Sequence, residues 1–591
     1  MDVGFEPDAL RERYRVEREL RLRGDGNAQY REPEGALSRY RDDPFGEPVP
    51  DRARLDEDAE VVVVGGGFGG LLMASRLREA GIEDVRIVEK GSDFGGTWYW
   101  NRFPGAACDI ESYIYLPLLG ETGYLPTQKY VTGKEIFAYT RRLARHFDLY
   151  RRAYLRTEVT GLRWDDAQAR WIVSTDRGDR LRARFVVLAG GPLHRPKLPG
   201  VEGIETFSGH SFHTSRWDYG YTGKPGDGMP GLAGKRVGVV GTGATAVQSV
   251  PHLGAAAGEL FVFQRTPSSV DVRANRPTDP RWADELRPGW QQRRMDNFNA
   301  LVNGGHVDDD LVDDGWTDGL LNLVVRQARA AHRGDEQVAE LVQLADFEKM
   351  EKIRARVSAT VQDLATAEAL KPYYNWFCKR PCFHDSYLDT FNRENVHLVD
   401  TRGRGIERVT ERGVVADGQE YPLDCLVFAT GFEYGTDLTR RIGFDVHGRG
   451  GLSLHRKWKD GPETLHGFTT NGFPNLFVMS VVQSGLSQNF THMLAEQARH
   501  LTYVLTECRN RAATAVEVTS EAETEWTEKI IKFGALRRDF LRECTPGYYS
   551  SEGEFTRYAA KNASYGAGPV AFANVLRDWR ADGTMAGLRL R

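Results

Sequence analysis

One unit occurs twice in this chain: an apolar strand, a glycine-rich turn, a helix and a second strand. That repetition limits the possible fold more than any other feature. The first copy opens with Val61-Val62-Val63-Val64, a run of the kind buried in a parallel sheet. The pattern G-x-G-x-x-G follows at Gly65, Gly67 and Gly70, with Phe68 inside it, and Leu71 to Ala80 reads as a helix ended by Gly81. The second strand, Val85-Arg86-Ile87-Val88, runs into Glu89 and Lys90. Glycines at this spacing let the backbone approach a pyrophosphate at the helix N-terminus, and a terminal acid accepts hydrogen bonds from ribose hydroxyls.

The second copy runs from Lys235 to Val240 and then through Gly241-Thr242-Gly243-Ala244-Thr245-Ala246, which fits G-x-G-x-x-A. Its second strand, Leu260 to Phe263, ends in Gln264-Arg265-Thr266. Arg265 follows Gly241 by the same 24 positions that separate Glu89 from Gly65. An acid there suits a ribose 2′-hydroxyl, whereas a guanidinium suits a 2′-phosphate. The comparison points to NADPH rather than NADH in the second unit; a plain surface charge is the other reading of Arg265.

Composition excludes several classes. At 591 residues the chain exceeds one core and calls for several domains. A net charge of −5 argues against a surface that tracks nucleic acid. No apolar run has the length of a membrane span, and the N-terminal residues lack the pattern of an export signal, so a cytoplasmic protein is expected. Six scattered cysteines, with only Cys378 and Cys382 close together, read as reduced thiols. The acids Asp308-Asp309-Asp310 and Asp313-Asp314 read as solvated faces rather than a metal site, since no histidine accompanies them.

Between and after the two units the chain is less explicit. Residues 1–55 read as a short helix from Ala9 to Arg23 and an extended arm, or as a disordered tail. Gly95-Gly96-Thr97-Trp98-Tyr99-Trp100, leading to Asp109, either covers a planar ring system or packs as an aromatic loop on the sheet. Residues 150–190 read as a small β insertion, and 271–370 as a mostly helical one. Lys379-Arg380 either binds a phosphate and a reacting anion or faces solvent as a basic pair. The strand Leu426-Val427-Phe428 is expected to return the chain to the first lobe. The expected architecture is α/β with two Rossmann-like dinucleotide-binding domains. The first comprises 56–195 and 425–591, and the second 196–270 and 371–424, with 271–370 inserted in it.

With these residues in view the chain resembles the type I Baeyer–Villiger monooxygenases, of the class B flavoprotein monooxygenases. The family fingerprint F-x-G-x-x-x-H-x-x-x-W-[PD] is met by Phe207, Gly209, His213, Trp217 and Asp218. A companion pattern is met by Gly95, Gly96, Trp98, Phe103, Pro104, Gly105 and Asp109. The arm around Asp25 to Tyr30 and the segment Cys544-Thr545-Pro546-Gly547-Tyr548-Tyr549 resemble the longer members, which act on large-ring or polycyclic ketones, including pentalenolactone-type precursors of secondary metabolism.

The resemblance implies FAD in the first lobe, NADPH in the second, and molecular oxygen inserted next to a ketone carbonyl through a C4a-peroxyflavin to give a lactone or ester. It implies that Gly96, Thr97, Trp98, Asp109 and Tyr115 lie at the flavin, and that Lys379 joins Arg265 and Thr266 on the 2′-phosphate. It makes Arg380 the active-site arginine, oriented by Asp109, and His213 a support for the linker between lobes. A small-molecule ketone is the expected partner of a monomer or dimer. Two departures stand out: Ala189-Gly190-Gly191 replaces the usual alanine-threonine-glycine, and Ala107 stands where many relatives carry arginine. A disulfide reductase is disfavoured because only Cys108 lies near the first unit. Oxidation of sulfur or nitrogen centres, or a non-catalytic flavin protein, are the remaining alternatives.

Overall fold

The computed structural model describes residues 4–46, 52–303, 305, 307–318 and 335–591. Two sheets organise it. The first has eight strands, with Asp56–Val64 near its centre, parallel to Val85–Val88 on one side and Arg180–Leu188 on the other. Arg180–Leu188 is long enough to serve further partners along its length. Its first half pairs antiparallel with Arg170–Thr175 and its last three residues parallel with Leu476–Val478. The small β insertion thus extends the nucleotide sheet rather than standing apart from it. The helix Phe68–Glu79 covers this sheet and packs against the late helix Phe490–Asn510, which brings that C-terminal segment onto the first lobe.

The second sheet is entirely parallel, in the order Val396–Asp400, Glu259–Gln264, Arg236–Val240, Cys425–Phe428, His210–His213. This corrects the expected boundary at residue 425. Cys425–Phe428 pairs with Arg236–Val240, so it completes the second lobe, and the chain returns to the first only after it. An apolar strand states that it is buried but not in which of two similar sheets.

The arm is ordered among the described residues. The helix Pro7–Glu19 buries Tyr14 edge-on against Phe347 at 5.2 Å, and Tyr30–Arg31 forms a strand with Leu198–Pro199. In the insertion, Pro280–Glu285, Trp290–Val302, Asp335–Thr360 and Leu364–Leu370 are helices, whereas 307–318 is irregular; residues 319–334 lie outside the described residues. The insertion is not confined to the second lobe. Gln291 donates to the carbonyls of Tyr113 and Leu116, and Arg294 forms an ion pair with the buried Glu111. Of the acid runs, Asp308, Asp309, Asp310 and Asp313 are exposed as expected, whereas Asp314 accepts from the Tyr130 hydroxyl at 2.8 Å, and burial raises its pKa. Among the described residues no cluster of acids, histidines and cysteines could hold a metal.

The cysteines bring a further correction. Cys378 and Cys544 form a disulfide across 166 residues, while Cys108, Cys382, Cys425 and Cys508 are free and buried. Spacing along the chain carried no sign of this pair, since only the tertiary fold brings the two segments together.

Candidate active site

The first glycine of each nucleotide unit adopts the same backbone conformation, φ +111° at Gly65 and +110° at Gly241. A Cβ on Gly65 would stand 2.7 Å from the Ala189 carbonyl oxygen, and one on Gly241 would stand 2.6 Å from that of Ala429. Each strand end therefore meets a neighbouring strand end so closely that only glycine fits. A Cβ on Gly70 would collide with the Gly65 carbonyl, which seats the helix directly on the strand.

Beyond the first turn lies a cleft of about 1410 Å³ counting its open mouth. Of the first lobe's expected residues only Gly70 and Asp109 do not line it; Gly65, Gly67, Phe68, Glu89, Lys90, Gly96, Thr97, Trp98 and Tyr115 all do. Glu89 is buried, and its two carboxylate oxygens accept from the Gly66 and Gly91 amides at 2.6 Å each. Burial raises its pKa, against the pull of those two amides. Lys90 approaches His194 Nδ1 at 2.9 Å, and burial, with Arg216, pushes its pKa down to about 8. The aromatic loop splits its work. Trp98 and Trp100 line the cleft, with Trp98 Nε1 donating to the Tyr115 hydroxyl at 3.0 Å, whereas Tyr99 turns away to donate to Asp43. A dinucleotide cradle of close glycines, a carboxylate at the strand end and a wall of aromatic rings fits FAD.

Asp109 is buried and takes both terminal nitrogens of Arg380, at 2.6 and 2.7 Å. Its backbone carbonyl accepts from Trp316 Nε1 at 2.8 Å, and the Arg380 guanidinium stands 6.0 Å from the Trp316 ring centre. One third of the Arg380 side chain stays exposed, against 2% of Asp109. Burial opposes the guanidinium charge, but Asp109 outweighs it and holds the pKa of Arg380 well above its ordinary value. Tyr115, on the cleft wall, lies in the electrostatic field of both groups. Cys108 beside them is a free thiol, and burial pushes its pKa up to about 12.

In the second lobe Thr242 donates to the Thr266 carbonyl at 2.7 Å, and the helix Ala244–Ala256 starts just after Gly243, with Thr245 in its first turn. Arg265 does not stand alone. It donates to Gln29 at 2.5 Å and pairs with the buried Glu552 at 3.2 Å, with the Tyr30 hydroxyl at 3.4 Å. Buried Arg21 donates to the Arg265 carbonyl and to Thr266 Oγ1, each at 3.2 Å. Lys379 donates to the Pro546 carbonyl at 3.1 Å, next to the disulfide; burial first, then Arg265, pushes its pKa down to about 8. A cationic pocket of arginine, lysine and threonine fits the 2′-phosphate of NADPH. The sequence reading gave no site role to Arg21, Gln29, Tyr30 or Glu552. Only the resemblance of the arm and of Cys544 to Tyr549 to longer members hinted that these segments matter.

The fingerprint is as much framework as linker. His213 ends the edge strand His210–His213, and Trp217 is fully buried with Nε1 donating to Thr222. Asp218 caps the turn that follows and meets His210 Nε2 at 3.0 Å. Burial pushes the His213 pKa down to about 3, so the ring is neutral at working pH. Between them Arg216 lies 4.1 Å over Trp100 of the first lobe and donates to the His194 carbonyl. The Ala107 amide donates to the Gln248 side-chain oxygen and its carbonyl accepts from the Gln248 side-chain nitrogen, a link to the second lobe. The fingerprint and companion loops thus clamp the lobes at adjacent places.

Comparison with known proteins agrees with this geometry. Residues 62–300 match the family model described as pyridine nucleotide-disulphide oxidoreductase. The chain is 53% identical to the neopentalenolactone D synthase of Streptomyces avermitilis, over 99% of both chains. It is 50% identical to Baeyer-Villiger monooxygenase ATR8 of Stachybotrys chlorohalonatus, over 100% of this chain and 95% of the relative. The solved polycyclic ketone monooxygenase of Thermothelomyces thermophila superposes with a TM-score of 0.91 at 38% identity, over 99% of each chain. OTEMO, solved in complex with FAD and NADP, superposes at 0.75 with 28% identity, over 90% of this chain and 99% of that one. Two dinucleotide lobes, the Asp109–Arg380 pair between them and full-length relatives at half identity point to one reaction class. The protein uses FAD and NADPH, and the chain belongs to the Baeyer–Villiger monooxygenases.

Proposed function

We propose that the substrate is a bulky cyclic or polycyclic ketone, and that Arg380 and Asp109 carry the oxygen-insertion step. The buried bidentate pair with one exposed cationic face is the observation that supports this most directly. Bound FAD, reduced by NADPH, supplies activated oxygen for insertion beside the ketone carbonyl. The chain's own part is electrostatic. A guanidinium that keeps its charge throughout the working range holds the negative charge that develops on oxygen, without itself exchanging a proton. Asp109 fixes the guanidinium plane through two bonds, and Trp316 fixes Asp109 through its carbonyl. Trp316 and Phe383, 5.0 Å apart and both buried, pack behind the guanidinium side of Asp109 as apolar support. The substrate class itself rests on the relatives, among them the polycyclic ketone monooxygenase of Thermothelomyces thermophila.

Arg265, Thr266 and Lys379 are assigned to the 2′-phosphate on charge and proximity. One chain carries every group assigned here, so a monomer suffices. An NADPH-consuming enzyme works where that coenzyme is abundant, which favours the cytoplasm; the Cys378–Cys544 bridge would be uncommon there.

The assignment of Arg380 is tested with Arg380→Ala and Arg380→Lys. Both variants should still show NADPH-driven bleaching of the flavin while losing the product heavier by one oxygen, followed by mass spectrometry over a panel of polycyclic ketones. Normal ester or lactone yield from either variant removes Arg380 from the chemistry. For the coenzyme site, Arg265→Ala should raise the KM for NADPH by about tenfold or more, the worth of one charge-assisted contact, and barely change that for NADH. Equal losses for both coenzymes would remove Arg265 from the phosphate site.

A further inference from the structure

The residue assigned to the 2′-phosphate already holds an anion. Glu552 is 4% exposed, and its Oε2 lies 3.2 Å from Arg265 Nη2 while its Oε1 accepts from the Tyr30 hydroxyl at 3.3 Å. Its charge also reaches Lys379 and Lys197, where it opposes the lowering of both pKa values by burial. The carboxylate therefore sits among cations, in the place where an incoming phosphate would be drawn.

The backbone that delivers it there is strained. Ser551 and Glu552 take φ values of +50° and +55° in succession, a left-handed conformation unfavourable for side chains other than glycine. The turn is closed by the Glu552 amide donating to the Gly547 carbonyl at 2.8 Å, next to Pro546, whose carbonyl takes Lys379. Tyr30 belongs to the arm, so two segments remote in sequence meet to hold this carboxylate.

We propose that Glu552 is a positioning residue that competes with the 2′-phosphate of NADPH for Arg265. This rests on the reading of Arg265 as the phosphate site. Glu552 neutralises the guanidinium when no phosphate is bound, and it leaves when the phosphate arrives. A phosphate monoester carries about −1.5 to −2 near neutral pH against −1 for the carboxylate, so the exchange favours the coenzyme. An adenosine lacking the 2′-phosphate has nothing to exchange and leaves the Arg265–Glu552 pair intact. The competition weakens NADPH and NADP⁺ while leaving NADH untouched, and it couples occupancy of the phosphate site to the position of the Gly547 to Glu552 turn.

The test uses the FAD-loaded enzyme and two probes, 2′,5′-ADP and 5′-AMP, which differ at the 2′ position. Glu552→Gln keeps the shape and removes the charge. Its dissociation constant for 2′,5′-ADP should fall about fivefold, equivalent to about 1 kcal/mol, with 5′-AMP unchanged. The KM for NADPH should fall with it while that for NADH stays constant. Glu552→Asp, which retains the charge, should bind 2′,5′-ADP within about twofold of the unaltered enzyme. Flavin absorbance and thermal melting check that each variant is folded, and Glu552→Ser replaces Glu552→Gln if the latter loses FAD. Unchanged or weaker 2′,5′-ADP binding by the uncharged variant overturns the proposal, because that is the result for a residue that merely props up Arg265. The underlying reading fails separately: Arg265→Ala would then retain 2′,5′-ADP binding.

Discussion

Single side chains decide how the cofactor sites respond to pH. Lys379 is charged at neutral pH and loses its proton as pH rises through about 8, because burial and then Arg265 both lower its pKa. The charged form is the one that attracts a phosphate. The KM for NADPH should therefore climb above pH 8, and that for NADH should stay flatter; Lys379→Met should abolish the difference between the two profiles. Initial rates of NADPH and NADH oxidation from pH 6.5 to 9.5 would check this. Arg380 behaves oppositely: its pKa is held well above the ordinary arginine value, so it contributes no alkaline limb of its own. Arg265 was legible in the sequence because an internal copy stood ready for comparison at Glu89. Its partner Glu552 was not, since 287 positions separate them and nothing local marks the pair.

At the scale of elements the fingerprint shows how framework and function are joined. Gly209 precedes the edge strand His210–His213, where a Cβ would come within 2.5 Å of Phe207 Cζ and 2.8 Å of the Asp424 carbonyl oxygen. Gly209→Ala should shift this strand against Cys425–Phe428 and cost about 1–3 kcal/mol by overpacking, seen as a lower melting temperature with the same FAD content. If the melting temperature does not move, the close approach has no energetic weight. The two nucleotide units were readable because period, glycine spacing and terminal residue all agree within some thirty residues. The placement of Cys425–Phe428 in the second sheet was not readable. Its partner strand lies far upstream, and burial on both faces looks alike in either lobe.

The whole molecule is closed by contacts between segments far apart in the chain. The arm lies against the second lobe, the insertion touches the first, and the Cys378–Cys544 bridge ties the Lys379–Arg380 loop to the C-terminal segment. Alkylation of the denatured, unreduced protein should label four thiols rather than six. Cys544→Ser should lose stability by about 2–4 kcal/mol, measured by denaturant unfolding; six labelled thiols would show that the bridge does not form in solution. By itself the sequence determined what short-range chemistry can write: two nucleotide units, the choice of acid or arginine at each strand end, and the fingerprints that identify the reaction class. Only the tertiary structure decided which lobe receives the strand at 425, which cysteines meet, and that a buried carboxylate from residue 552 faces Arg265. The physical reason is range. Turn geometry and strand burial are set by neighbours in the chain, whereas ion pairs, disulfides and sheet order depend on which distant segments the packed core brings together.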